Sequence, residues 1–227
     1  MIHQLSRWIV IGSAILAFNA GYINSIALLS FVNNSVSHVT GTVALAADAA
    51  VRGQWSMLLA TGLIVISFFV GAIVSGLVVG NEALKPGRRY GVALLIESVL
   101  LLLSWYCFRQ QFFLGELLAS AACGLQNAMV ATYSGSVIRT THLTGIVSDM
   151  GSALGNAVAG RGWLAAQFRL QGTIFVAFVV GAGIGSISFD RWQFDALLAA
   201  SAWVLIAAVS YALWQVKQIG SSGTNNG

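Results

Sequence analysis

One proline, two cysteines and charges at only 8% of 227 positions are what this chain has little of, and each scarcity excludes something. A soluble domain carries charge at about 25% of its positions, so a soluble globular fold is excluded. Seven acidic and eleven basic residues leave a net charge of +4, dispersed along the chain. No basic patch able to neutralise a phosphate backbone is formed, which argues against a nucleic-acid partner. Cys107 and Cys123 sit inside apolar runs, where neither a disulfide framework nor a metal-ligand spacing can be read, so they read as packing residues. The three histidines have no Cys or Glu at i+3 or i+4 to complete a zinc site. Ser37, His38 and Asp48 supply the residue types of a hydrolase, but no Gly-x-Ser-x-Gly elbow accompanies them. Neither an enzyme nor a cofactor is expected. Gly181-x-Gly183-x-Gly185 has no preceding strand and no acidic ribose partner, so it reads as a close-packing helix face rather than a dinucleotide loop, as does Gly76-x-x-x-Gly80. With one proline, helix bends must come at glycines or at unwound polar stretches.

What is present is apolar: 57% of residues, with 25 glycines. A bilayer core needs about 20 apolar residues in a helix, and six stretches qualify: 8–31, 55–80, 90–108, 113–136, 172–189 and 196–216. The first is too long for the apolar part of a cleavable signal peptide. Two further segments, 36–53 and 140–160, are rich in small residues, and each carries His-x-Thr-Gly near its start. Basic residues collect in cytoplasmic loops and discriminate between topologies. If the two segments do not cross, Arg7, Lys85, Arg88, Arg89, Arg139, Arg161, Arg169 and Lys217 share one side, against Arg52, Arg109 and Arg191. If both cross, the division is six to five, which is no bias. The expectation is therefore an all-α integral membrane protein with six transmembrane helices, both termini cytoplasmic, and two short re-entrant or interfacial helices. The polar tail 218–227 is expected to be disordered.

The chain also repeats itself. Gly21-Tyr22-Ile23-Asn24 is followed by His38-Val39-Thr40-Gly41, and Gly124-Leu125-Gln126-Asn127 by His142-Leu143-Thr144-Gly145, at offsets of 103 and 104. Val70-Gly71-Ala72 recurs as Val180-Gly181-Ala182, and Ala93-Leu94-Leu95 as Ala196-Leu197-Leu198. Two units result, 1–108 and 109–217, each with three spans and one His-x-Thr-Gly segment. Three is odd, so a tandem copy inserts upside down, giving two inverted-topology repeats.

Polar groups in spans point inward, pair, or line a watery path. Asn19 reads as an amide tying helices together. Asn24 and Asn127, each one turn from a glycine, together with Gln126, are candidates for solute or ion contact. His38, Thr40, His142 and Thr144 open short helices whose free N–H groups and positive dipole ends suit an anion; Thr40 and Thr144 are expected as N-caps, and the histidines suit proton coupling. Glu97 lies inside a span and is a proton-relay candidate. Asp149 can pair with His142 or Arg139, whereas Asp48 is expected to pair with Arg52 at i+4.

With Gly-Tyr-Ile-Asn-Ser at 21–25, Ser-His-Val-Thr-Gly-Thr at 37–42, Gly-Leu-Gln-Asn-Ala at 124–128 and Thr-His-Leu-Thr-Gly at 141–145, the chain resembles the YoaK-like family of bacterial inner-membrane proteins. The resemblance covers nearly the whole chain and implies a multi-pass protein of the inner (plasma) membrane, with no particular substrate. Residues 80–89 are also similar to the Gly-x-x-x-Asp-Arg-x-Gly-Arg-Arg loop of major facilitator transporters, with Leu84 where that motif carries Asp; this second likeness implies half a transporter and hence a homodimer. The functional expectation is a small permease or exporter for a small polar or anionic solute, with proton coupling as an option, and with a membrane channel or a non-transporting scaffold or sensor as the alternatives.

Overall fold

The computed structural model describes residues 7–30, 36–80, 88–134 and 138–223. Within them the long apolar runs do what backbone groups away from water require, closing their hydrogen bonds within each helix. The elements are α1 (Arg7–Leu28), α2 (Val39–Val51), α3 (Trp55–Val79), α4 (Arg88–Arg109), α5 (Leu114–Tyr133), α6 (Leu143–Val158), α7 (Ala165–Trp192) and α8 (Ala196–Gly223), with a 3₁₀ turn Gln193–Asp195 before α8. No strand occurs among the described residues. Four stretches are long and apolar enough to cross a membrane: Val10–Leu28, Trp55–Val79, Arg89–Arg109 and Ala165–Gln215. The last holds both α7 and α8, divided at Gln193, whose φ of 50° breaks the helix. The helix α8 runs on to Gly223, into the tail expected to be disordered. The loop resembling major facilitator transporters falls largely on residues 81–87, outside the described residues.

Short α2 and α6 end alike. Gly53 (φ 68°) and Gly160 (φ 68°) follow their C-caps in the left-handed conformation that glycine adopts without strain. Gln54 N donates to Ala49 O and Arg161 N to Asn156 O, at 2.8 and 2.9 Å, closing the same C-terminal motif in both. Each helix then folds back onto the next, α2 onto α3 and α6 onto α7.

The long helices exchange partners between the halves of the chain: α1 packs on α7, α3 on α5, and α4 on α8. Glycines make the first two crossings. A Cβ at Gly21 would overlap the Phe178 carbonyl, and one at Gly124 the Phe68 carbonyl; Gly181 meets Phe18, and Gly71 meets Ala121, in the same way. These contacts correspond at the offsets of 103 and 110 read from the sequence. Gly76, expected on a close-packing face, instead has open space around it. The pairing of α4 with α8 is antiparallel: Tyr90 meets Tyr211, Ser98 meets Ser201 and Trp105 meets Asp195. Equally, α1 and α5 are antiparallel, with Leu16 at Gln126 and Ser30 at Glu116. Polar α5 is the central helix, with Glu116, Ser120 and Gln126 at most 1% exposed. Large apolar residues such as Leu59, Phe69 and Leu77 face outward on α3, the surface a lipid solvent permits.

Candidate functional site

The segments leading into α2 and α6 run into the interior of the bundle. Ser120 Oγ, inside α5, lies 3.0 Å from Val36 O and 2.8 Å from Ile64 O. Gln126 Nε2 reaches Thr140 Oγ1 at 3.1 Å and the Leu16 carbonyl at 2.9 Å. Ser120 and Gln126 are six residues apart on one helix, so the two anchoring points are separated by about 9 Å along α5 and by about 120° around it. The segments flank α5 from different sides.

Both short helices begin at histidine. His38 and His142 are the N-caps, at φ −94° and −90°, without a side-chain capping bond. The expected caps Thr40 and Thr144 lie inside the first turn and are exposed. The correction has a steric reason. Each imidazole folds back onto the glycine three residues on, and a Cβ at Gly41 or Gly145 would strike the ring of His38 or His142. His-x-Thr-Gly is therefore a cap in which glycine makes room for the ring. Asn24 Oδ1 accepts from Ser37 Oγ at 2.9 Å and Ser37 N at 3.4 Å, and Asn127 Oδ1 accepts from Thr141 N at 3.4 Å. Each Asn thus pins the segment of its own unit just ahead of the cap. Asp149 accepts from Gln171 Nε2 at 2.8 Å rather than meeting His142 or Arg139. Asp48 takes Arg52 at 2.8 Å on the surface, as expected.

Glu97 meets a residue set aside as mere helix glue, and Gln126 is bonded to the same stretch of α1. Asn19 Nδ2 donates to Glu97 Oε1 at 3.5 Å, while Gln126 holds the carbonyl of Leu16, one turn before Asn19. The thiol of Cys123, one turn before Gln126, is within electrostatic reach of Glu97. Asn19, Glu97 and Gln126 are all no more than 2% exposed. Residues missed by sequence reading include Glu116, which accepts a bond from Ser30, and Ser98 and Ser201. Those two serines bond each other's carbonyls at 3.0 and 2.9 Å. Their separation of 103 was the signal that could have found them. Among the described residues no three His, Cys, Asp or Glu side chains gather to hold a metal ion.

Two cavities lie beside α1, the larger among α1, α4, α5 and α8 and the smaller between α1 and α8. The larger, about 450 Å³, is lined by Gly12, Ser13, Tyr90, Tyr211 and Trp214 among others. The smaller, about 190 Å³, shares Ile15, Leu16 and Ala207 with it and is lined by Asn19 and Trp203. None of the nine polar residues singled out in the sequence lines either cavity, but Asn19, which does, touches Glu97.

Helices of this length and an apolar outer surface mark the described residues as those of a helical, membrane-like protein. A family model described as "Protein of unknown function (DUF1275)" matches residues 12–210. The chain belongs to that family. No curated protein and no solved structure matches it.

Proposed function

We propose that the chain is a small permease or exporter for a small polar or anionic solute, built from two inverted repeats of three spans and one re-entrant half-helix, in a bacterial inner membrane with both termini cytoplasmic. One observation carries this reading: the same residue pair is closed at one end of the bundle and open at the other. On the α4–α5 side the Phe108 ring packs onto Gly115, so that a Cβ there would lie 2.9 Å from it. The pair related by 103 residues is Tyr211 and Gly12, which together line the larger cavity, with nothing within 4 Å of the Gly12 Cβ position. A repeat that can adopt both packings can expose a site to either face in turn, which is the logic of inverted-repeat transporters.

Orientation supports the same reading. With three spans per repeat, the equivalent helices α1 and α5 run oppositely, and so do α4 and α8; eight alternating spans would make both pairs parallel. The segments leading into α2 and α6 are anchored on α5 at Ser120 and Gln126, and the N-terminal N–H groups of those two helices favour an anionic or polar solute. His38, Thr40, His142 and Thr144 stand at the helix starts, and Asn24 and Asn127 hold them; with Glu97, Gln126 and Asp149 they are the residues we assign to the pathway.

The test is flux in proteoliposomes, using radiolabelled amino acids, carboxylates and nucleobases as probes, with cross-linking. In a background with Cys107 and Cys123 replaced by Ala, a Gly12→Cys/Tyr211→Cys pair joined by a short bismaleimide should abolish saturable flux, and reducing agent should restore it only when a cleavable linker is used. Flux that continues through the linked protein removes alternating access and leaves a channel; no flux of any probe by the unlinked protein leaves a scaffold or sensor. Labelling by an impermeant maleimide at Gln54→Cys and Arg161→Cys from opposite faces is the expected outcome of inversion, and labelling of both from one face rules it out.

A further inference from the structure

The cluster of Asn19, Glu97 and Gln126 has an internal control elsewhere in the chain. At the offsets of 103 and 104 these residues and their neighbours correspond to buried, apolar positions: Asn19 to Ala122, Glu97 to Ala200, Gln126 to Ile23, Cys123 to Ala20 and Thr140 to Val36. The same helix junction is thus built twice, once polar and once apolar. Packing does not require the polar side chains, since Ala, Ala and Ile fill the equivalent places. Burying them costs free energy wherever they lack partners.

What they lack is all of one kind. Asn19 Oδ1, Glu97 Oε2 and Gln126 Oε1 are buried without a hydrogen-bond partner among the described residues. All three are acceptors, on three different helices, while the amide nitrogens of Asn19 and Gln126 are engaged. The junction is short of positive charge. Among the described residues no cationic side chain faces it: described α1 side chains offer only Tyr22 as an ionisable group, α5 offers Cys123 and Glu116, α3 has none, α8 has Tyr211, and the described cations of α4 and α7, Arg89, Arg109, Arg169 and Arg191, are exposed near helix ends, as is Asp190, while Tyr90, Tyr106 and Cys107 are neutral. Neither described ion pair involves Glu97. Cavities also approach the junction: the larger is lined by Gly12 and Trp214, the smaller by Asn19, and the two share Ile15, Leu16 and Ala207.

We infer that Asn19, Glu97 and Gln126 form a site for one small monovalent cation, a proton or a sodium ion, reached through the cavities beside α1 from the end where α1 begins. A proton would sit on the Glu97 carboxylate and donate to the Asn19 amide oxygen; a sodium ion would take oxygens from Glu97 and Asn19, with the unpartnered Gln126 oxygen as the further acceptor on α5. The site exists in one repeat only, so one cation binds per chain. Because it depends on the duplicated architecture proposed above, it names the coupling ion of that permease, but it is tested by binding and needs no flux.

The experiment uses the full chain in lipid nanodiscs and infrared spectroscopy. A carboxylic C=O band absent from Glu97→Gln and retained in Glu116→Gln marks a protonated Glu97. Loss of that band on raising the pH, with no effect of NaCl over choline chloride, assigns the proton. Loss on adding NaCl at fixed pH, saturating with concentration, assigns sodium. Asn19→Ala and the double change Gln126→Ile/Thr140→Val copy the residues of the apolar junction and should keep the fold while weakening cation binding by about 10- to 100-fold; Glu97→Ala, also a copy, should abolish it. A Glu97 signal that responds to neither ion between about pH 5 and 10 overturns the inference and leaves a fixed helix tie. Cation binding without solute flux refutes the permease alone, and flux with a silent Glu97 refutes the cation site alone.

Discussion

Gly181, Gly183 and Gly185 lie on one helix, yet the structure gives them opposite roles. A Cβ at Gly185 would lie 2.5 Å from the Tyr22 carbonyl oxygen and 2.9 Å from its Cα. Ordinary contact begins at 3.4 Å, so α1 must retreat by 3.4 − 2.5 = 0.9 Å to admit one methyl group. At Gly181 the overlap is with the Phe18 carbonyl and is deeper. A gap of 0.5–1 Å forfeits roughly a quarter to a half of each dispersion contact, and overpacking a filled interface costs about 1–3 kcal/mol. Gly183, two residues from either, has nothing within 4 Å of its Cβ position. There Ala adds no clash and gains up to about 1 kcal/mol of helix propensity. Thermal melting of the three single Ala variants in one detergent should show Gly181→Ala and Gly185→Ala falling by several degrees and Gly183→Ala unchanged or raised. If Gly183→Ala fell as far as the other two, the α1–α7 contact would not be set by backbone approach and the reasoning would fail.

Replacing Ser98 and Ser201 singly and together by Ala should give a coupling of about 0.5–1 kcal/mol in a double-mutant cycle, because each hydroxyl serves the other's carbonyl; additive losses would remove the reciprocal bond. Asn24→Ala should speed amide exchange at residues 36–42, and Asn127→Ala at 140–146, each leaving the other segment alone, as read by hydrogen-exchange mass spectrometry. Breaking the exposed Arg52–Asp48 pair with Arg52→Ala should shift stability by less than about 0.5 kcal/mol, since surface ion pairs in water contribute little. The native thiols, 8% and 2% exposed, should resist maleimide in the folded protein and react after denaturation.

Hydropathy and helical length are local properties, and the sequence by itself determined what depends on them. The helices α1 to α8 fall close to the stretches read from composition, α2 and α6 fall within the two small-residue segments, and the recurrence of Gly21 at 124 and Val70-Gly71-Ala72 at 180–182 marked the glycines that form the crossings. The free, buried state of Cys107 and Cys123 followed from their apolar surroundings. Cap identity was already less legible, because a Thr hydroxyl is the usual capping group and nothing local says that a His ring will fold onto the glycine three residues later. Only tertiary structure decided which polar residues meet. Asn19 and Glu97 are 78 residues apart, and their contact depends on how α1 crosses α7 and leans on α5, which no periodicity records. The pairs Gly12–Tyr211 and Gly115–Phe108 are nearly the same in sequence, one open and one packed. Phe108 and Gly115 are held together by the short turn between α4 and α5, whereas Gly12 and Tyr211 stand on helices from opposite ends of the chain and come to one cavity only in the assembled bundle.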